Sequence, residues 1–410
     1  MNYELFIAKR IITNKNHKGS ISSPIIKIAI IAIALGLIVM LISIATGLGL
    51  QHKIRDKISG LNGHIIISNF NQNNALNTEN PISINQDFYP EFKNIDGIKK
   101  VQVFAEKECI IRTETDFEVM IYKGVDNYFD WSFLKDNLIE GSVLNFTEKR
   151  SKNILISKIT AERLKFKVGD KIVLWFFKEG SEKANARSLV VTGIFNTGIK
   201  DFDKNYIIGD IRDIQKINKW TTDQVGGFEV LLDDFEDLEN ISLQVYTSIN
   251  SNLNAEPINR KFAGLFQWIG LFDINISMII IIMILIAGIN MITALLVLIL
   301  ERTQMIGILK ALGNSNKSIQ KIFLYNAGYL ILKGLFWGNL IGLGLICLEN
   351  YFGFIKLDPD SYYVSRVPFY INFYQIVLLN LGTLILCLLM LILPTYLVSK
   401  ISPVKAIKFD

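Results

Sequence analysis

Cysteine, histidine and proline are all scarce in this chain of 410 residues: three, three and eight. Two of the cysteines, Cys347 and Cys387, lie inside apolar blocks, which leaves Cys109 alone in the soluble stretch and excludes a disulfide scaffold. His17, His52 and His64 stand in no Cys/His pattern with zinc-ligand spacing. No nucleophile elbow marks a serine hydrolase. A Walker A loop is missing too, because Gly313-Asn314-Ser315-Asn316-Lys317-Ser318 lacks the second glycine and the length. Charge is also sparse, at 20% of residues against 50% hydrophobic, with a mean hydropathy of +0.33. That balance excludes a simple cytosolic enzyme and a disordered chain.

The apolar excess is concentrated in four blocks. Ile28–Leu50 and Ile274–Leu300 carry no charge, Ile322–Leu348 is interrupted only by Lys333, and Phe373–Leu397 lies in a charge-free stretch. A bilayer-spanning helix needs about 20 apolar residues, and in lipid a single pass must satisfy its own backbone. The spacing therefore predicts four transmembrane helices. The first block is too long for a signal-peptide core, and Ala45-Thr46-Gly47 offers no Ala-x-Ala cleavage pattern.

Lysine and arginine placement sets an expected orientation. The tail 1–27 carries Lys9, Arg10, Lys15, Lys18 and Lys27, the connection 301–321 carries Arg302, Lys310, Lys317 and Lys321, and the tail 398–410 carries Lys400, Lys405 and Lys408. The opposite loop 349–372 has only Lys356 and Arg366 against three acids. Both termini are expected in the cytoplasm of a cell inner membrane, with residues 51–273 outside. That insert holds 28 basic and 32 acidic residues, so the overall +5 is a topology signal and does not point to nucleic acid.

Strand-like runs in the insert fall at 65–67, 101–104, 119–122, 172–176, 189–191 and 228–232, and helical runs near 158–166, 211–219 and 238–250. The fold class expected is an α-helical membrane protein with a large α+β domain inserted after the first span. Two β-α-β patterns, one using a helix near Asp87–Phe92, suggest subdomains 51–110 with 223–262, and 111–222. The Asn-rich stretch 69–86 reads as a loop, and Asp233–Asp237 as a solvated turn at a helix N-terminus.

Glu301-Arg302-Thr303-Gln304-Met305-Ile306-Gly307-Ile308-Leu309-Lys310-Ala311-Leu312-Gly313 carries the mechanism. Met305, Ile308, Leu309 and Leu312 repeat at i, i+3, i+4, i+7 and predict a short amphipathic helix, with Gly313 as its stop. Such a helix is either an interfacial turn-back or a lever for a cytoplasmic partner. Lys333 and Asn290 are polar residues within spans, the first able to snorkel and the second to bond across a helix interface. Met40, Leu48, Phe262, Phe266, Phe272 and Met278, near the outer ends of the first two spans, are candidate lining for an apolar slot open to lipid.

These segments together resemble the FtsX-like permeases of ABC transporters, the LolC/LolE branch in particular. The resemblance rests on Phe6-Ile7-Ala8-Lys9-Arg10, on Lys53–His64, on Ile289-Asn290-Met291 with the 301–313 segment, on Tyr362–Pro368, and on Pro394 with Ser399–Lys408, and it runs over almost the entire chain. It departs at Gly288, where relatives often have Phe. The resemblance implies a MacB/Lol-like fold and a non-catalytic permease subunit. The implied partners are a LolD-like ATPase dimer that binds ATP and Mg, a second permease subunit (a copy or a paralogue), lipoprotein cargo, a periplasmic lipoprotein carrier and membrane lipids. No cofactor is expected in this chain itself. A MacB-like exporter of peptides or drugs and an FtsX-like signalling subunit acting on cell-wall hydrolases are the alternatives.

Overall fold

The computed structural model describes residues 3–13, 22–70, 80–112, 117–147, 150–177, 184–396 and 398. The centre of the Asn-rich loop, 71–79, and the C-terminal signature Ser399–Lys408 lie outside them.

The helices are α1 (Tyr3–Thr13), α2 (Ser22–Asn62), α3 (Ser132–Asp136), α4 (Lys158–Leu164), α5 (Lys200–Asn205), α6 (Ile211–Asn218), α7 (Leu238–Ser248), α8 (Ile258–Lys261), α9 (Ala263–Glu301), α10 (Thr303–Ala311), α11 (Asn316–Phe352), α12 (Pro359–Tyr362), α13 (Phe373–Met390) and α14 (Ile392–Thr395). The strands are β1 (Ile65–Asn69), β2 (Ile82–Ser83), β3 (Ile98–Arg112), β4 (Phe117–Val125), β5 (Leu138–Gly141), β6 (Asn153–Ser157), β7 (Lys171–Phe176), β8 (Asn185–Phe195), β9 (Tyr206–Asp210), β10 (Gln224–Val225), β11 (Gly227–Leu232) and β12 (Leu253–Pro257). The chain divides into a helical unit, 3–51 with 269–356 and 366–398, and an α+β unit, 52–268 with 357–365.

In the helical unit, four stretches are long and apolar enough to cross a membrane among the described residues: Pro24–Asn62, Ala263–Glu301, Asn316–Phe352 and Phe373–Thr395. Pro24 sits in the first turn of α2, where its missing N–H costs no bond. Ser315 caps α11 by accepting from Ser318 N at 3.2 Å, and Gly353 ends it with φ +61°. Gln375 Oε1 accepts from Asn372 N at 3.0 Å at the start of α13. The last candidate span, Phe373–Thr395, contains a local break. α13 stops at Met390 and the chain restarts as α14, because Pro394 has no N–H for the carbonyl of Met390 and its ring crowds that carbonyl.

Shape sets the packing of this unit. Gly334, Gly338 and Gly342 form one stripe of α11 pressed on α2; a Cβ there would lie 2.7 Å from Ile33 Cβ, 2.9 Å from Leu37 Cβ and 3.0 Å from Leu41 Cδ1. Small residues at this spacing let two helix backbones approach in lipid, where apolar area alone drives no association. Gly288 on α9 follows the same logic. A Cβ would collide with Sδ of Met390, so the residue that departs from the family pattern is the one this neighbour permits.

The α+β unit is built on one continuous ladder, ordered β12-β1-β11-β3-β4-β9-β6-β8-β5, with β7 paired to both β3 and β8. The pairing β3-β4-β9-β6-β8-β7 returns to β3 and closes a ring of six strands. The first half of β3 pairs with β11, from Phe104↔Gly227 to Ile98↔Leu232, and its second half pairs with β4, from Phe104↔Val125 to Arg112↔Phe117. One 15-residue strand thus belongs to both parts of the sheet. The helix expected near Asp87–Phe92 is absent; these residues form turns. Pro90 biases Tyr89 away from helical backbone, and Phe88 stacks on Phe92 at 5.0 Å while meeting Phe228 edge-on. Asp234 begins the acidic turn as a cap, its Oδ1 accepting from Glu236 N at 3.0 Å.

Candidate functional site

The segment 301–313 forms a helix set off from its neighbours at both ends. α9 ends at Glu301, and Arg302 leaves helical geometry with φ −102° and ψ 17°. Thr303 Oγ1 donates to the Leu300 carbonyl at 2.6 Å, closing the end of α9. After Ala311, Gly313 turns the chain with φ +91°, and Asn314 N donates back to Leu309 O at 3.0 Å.

The inner face of α10 differs from the one the periodicity selected. Ile306, Gly307 and Leu309 are buried, Met305, Arg302 and Lys310 are half-buried, and Glu301, Gln304, Ile308, Ala311, Leu312 and Gly313 are exposed. Two overlapping i, i+3, i+4 sets exist in this segment. The chain buries the one through Arg302, Met305, Ile306 and Leu309, which turns Ile308 and Leu312 outward, Leu312 at 77% exposure. Lys310 Nζ donates to the Val398 carbonyl at 2.7 Å. The following loop is tied to α1, where Asn314 Nδ2 donates to Tyr3 Oη at 2.9 Å and Ser318 Oγ donates to Glu4 Oε1 at 3.1 Å. α10 therefore has a pinned inner side and an open outer side that carries apolar residues.

The six slot candidates are divided between the two units. Met40 is fully buried in the helical core with Leu37, Leu41 and Met291, and has no surface to offer a ligand. Leu48 and Phe272 are half-buried and Met278 is exposed, all in the helical unit. Phe262 and Phe266 belong to the α+β unit. Phe266 stacks on Phe235 at 5.8 Å, and Phe262 lines a cavity of about 630 Å³ with Tyr206, Trp268 and Tyr363.

Asn290 is half-buried on α9. Lys333 is exposed, and its Nζ lies 4.6 Å over the ring of Tyr329, one turn toward the start of α11. Sequence reading passed over a better-satisfied pair. Asn339 Nδ2 donates to Asn380 Oδ1 at 2.7 Å and Asn380 Nδ2 donates to Asn339 Oδ1 at 3.1 Å, joining α11 to α13. Their signal was present, since each is an amide inside an otherwise apolar block.

In the α+β unit, Lys123 Nζ donates to Glu229 Oε1 and to the Leu61 carbonyl, each at 2.5 Å, with both side chains almost fully enclosed. Gln102 Nε2 donates to Glu229 Oε2 at 2.9 Å. The network ties the last turn of α2 to β3, β4 and β11. His64 Nδ1 accepts from Leu232 N at 3.1 Å, and burial, with Lys99 nearby, pulls its pKa down to about 4, so the ring is neutral.

Comparison with known families decides the wider identity. A model described as MacB-like periplasmic core domain matches residues 28–245, more than half of the chain, and one described as FtsX-like permease C-terminal matches residues 277–403. The chain belongs to the FtsX-like permeases that carry a MacB-like periplasmic core domain. It is therefore a permease subunit of ABC-transporter type, and α10 lies inside the FtsX-like part. Among curated relatives it is 22% identical over 98% of both chains to the lipoprotein-releasing system transmembrane protein LolC of Xylella fastidiosa (strain 9a5c). It is 24% identical over 99% of both chains to the lipoprotein-releasing system transmembrane protein LolE of Haemophilus influenzae. The crystal structure of the periplasmic region of MacB from Actinobacillus actinomycetemcomitans aligns with 52% of this chain and 97% of its own, at 13% identity and a TM-score of 0.35.

Proposed function

We propose that this permease works in an ABC system that releases lipoproteins from the inner membrane toward a periplasmic carrier, powered by a separate ATPase dimer that binds ATP and Mg. In this reading both termini and α10 face the cytoplasm, the α+β unit faces the periplasm, and a second permease subunit completes the membrane part. Full-length similarity to LolC and LolE relatives supports the cargo class.

One observation carries the coupling role: the open face of α10 presents Ile308 and Leu312 while Ile306 and Leu309 hold the helix to the core. Ile308 and Leu312, exposed beside Ala311, offer a partner two aliphatic anchors on one face. A partner groove that covers them receives a fixed lever. α2 and α9 continue without a break through Asn62 and from Ala263, so a push on α10 reaches elements that extend beyond the apolar blocks.

Leu312→Asp tests this without touching the core, unlike a change at Gly307 or Leu309, which are buried. Co-purification of the ATPase from native membranes should fall about 30-fold, the effect of losing an apolar anchor worth ~2 kcal/mol. Undiminished recovery would remove α10 as the docking element. Depletion of the chain should strand mature lipoproteins in the inner membrane, and normal sorting would end the lipoprotein assignment while leaving the family intact.

A further inference from the structure

α10 is joined through the chain to α9 at one end and to α11 at the other, and both joints bend. Arg302 leaves helical geometry at φ −102° and ψ 17°, and Gly313 turns at φ +91°. A rod with a joint at each end rolls unless something holds it from the side. Ile306, Gly307 and Leu309 are buried against the core, but apolar contacts have no direction and resist rolling weakly. A hydrogen bond has direction, and one from a charged donor is about twice as strong as a neutral one. Lys310 makes such a bond. Its Nζ donates at 2.7 Å to the carbonyl of Val398, a fully buried residue 88 positions on in the sequence and just past the fourth candidate span, Phe373–Thr395. Lys310 stands in sequence between the two aliphatic residues of the open face, Ile308 and Leu312, and is itself half-buried.

We propose that Lys310 is a positioning residue that yokes α10 to the fourth span, so that a push received at Ile308 and Leu312 reaches that span directly. The inference rests on the coupling role proposed above for α10 and adds a second route to it. Along the backbone the fourth span follows α10 only through α11 and the loop after it. A stroke relayed by that path alone would arrive there last and most diluted, and the Lys310 bond shortens the path to one contact. The bonds of the next loop do a different job. Asn314 to Tyr3 and Ser318 to Glu4 hold the start of α11 on α1, and neither acts on α10 itself.

The test uses the full-length chain recovered from native membranes with its ATPase, in a Cys347→Ser background, because Cys347 is exposed while Cys109 and Cys387 are buried. An environment-sensitive fluorophore is attached either through Leu393→Cys, at a position 80% exposed on α14, or through Leu285→Cys, at an exposed position on α9. In the parent, ATP, Mg and vanadate should shift both signals. In Lys310→Met the shift on α14 should shrink about 10-fold, the equilibrium effect of losing one bond from a charged donor, while the shift on α9 stays. Lys310→Arg still has a donor for the carbonyl and should restore the shift on α14. A general weakening of the helical unit would instead dull both probes together. Both shifts kept in Lys310→Met, or both lost, would overturn the proposal, as would a parent that responds on α9 and not on α14. A parent in which neither probe responds would remove the coupling reading itself, and this inference with it.

Discussion

The two units of this chain differ in what their interiors enclose. In the helical unit glycines let neighbouring segments close on one another, Gly334, Gly338 and Gly342 against α2 and Gly288 against Met390. In the α+β unit a closely set group of charged and amide side chains, Lys123, Glu229 and Gln102, is enclosed between strands. The difference follows from the solvent each segment is suited to. Lipid tails are as apolar as leucine, so helices there gain by fitting closely, whereas water drives an α+β core to form and leaves room for polar groups that are fully paired. The contrast names one weak point in each unit: added volume on the α11 stripe, and a removed partner in the buried network.

The largest effect should come from breaking the buried pair. Glu229→Ala leaves the Lys123 ammonium enclosed without its carboxylate, and removal of one partner of a buried pair costs about 3–5 kcal/mol. Thermal unfolding of the detergent-solubilised chain should show a large drop in the α+β transition. Replacing both residues with apolar ones of similar volume, Lys123→Met with Glu229→Leu, should recover most of it. A double variant as unstable as the single would mean that the network is needed for more than its own charge balance.

The next effect belongs to the helical unit. Gly338→Leu forces a side chain into Leu37 and should cost about 1–3 kcal/mol by overpacking. Gly344, which has nothing within 4 Å of a Cβ, is the matched control, and Gly344→Leu should be near neutral. Equal effects at the two positions would erase the distinction between a packed stripe and a lipid-facing one.

A response to pH should come from the α+β unit, with two groups opposed. Burial lowers the His64 pKa to about 4, so the native state binds fewer protons there than the unfolded chain, and stability is lost as pH falls from 6.5 toward 4. Burial pushes Asp126 up to about 6, so its contribution is full below 3.8 and is lost as pH rises through 6. The two slopes offset each other between pH 4 and 6. His64→Gln should unmask a fall in stability with rising pH in that window, and Asp126→Asn should unmask a rise. Stability profiles of both variants parallel to that of the parent would deny these groups their assigned environments.

What the sequence revealed follows the range of the interactions involved. Four spans were legible because charge is missing over whole blocks, and most strands because alternation is local. The break inside the fourth span, between α13 and α14, was not legible because hydropathy does not register the missing N–H of Pro394. β6 and β9 escaped because Ile154-Leu155-Ile156 and Ile207-Ile208 are short apolar runs beside helices, buried on all sides. At α10 the existence of the helix was legible and its inner face was not, since two sets of apolar positions share the same turn. Met40 shows the same limit: position along a span says how deep a side chain lies, and says nothing of which neighbour covers it.

The smallest expected effect lies where the two modes of packing meet, at Asn339 and Asn380. Each amide donates to the other across α11 and α13, and each also donates to a carbonyl one turn back on its own helix, Leu335 and Ile376 at 2.8 Å. Because those carbonyls remain as partners when the cross-helix bonds are lost, the surviving amide in Asn339→Leu or Asn380→Leu keeps one donated bond on its own helix. The coupling energy from a double-mutant cycle on unfolding should therefore be only about 0.6 kcal/mol, the average for polar pairs between membrane helices. A coupling several times larger would place this pair with the buried network of the α+β unit, and polar pairing would then matter as much in the helical unit as close fit does.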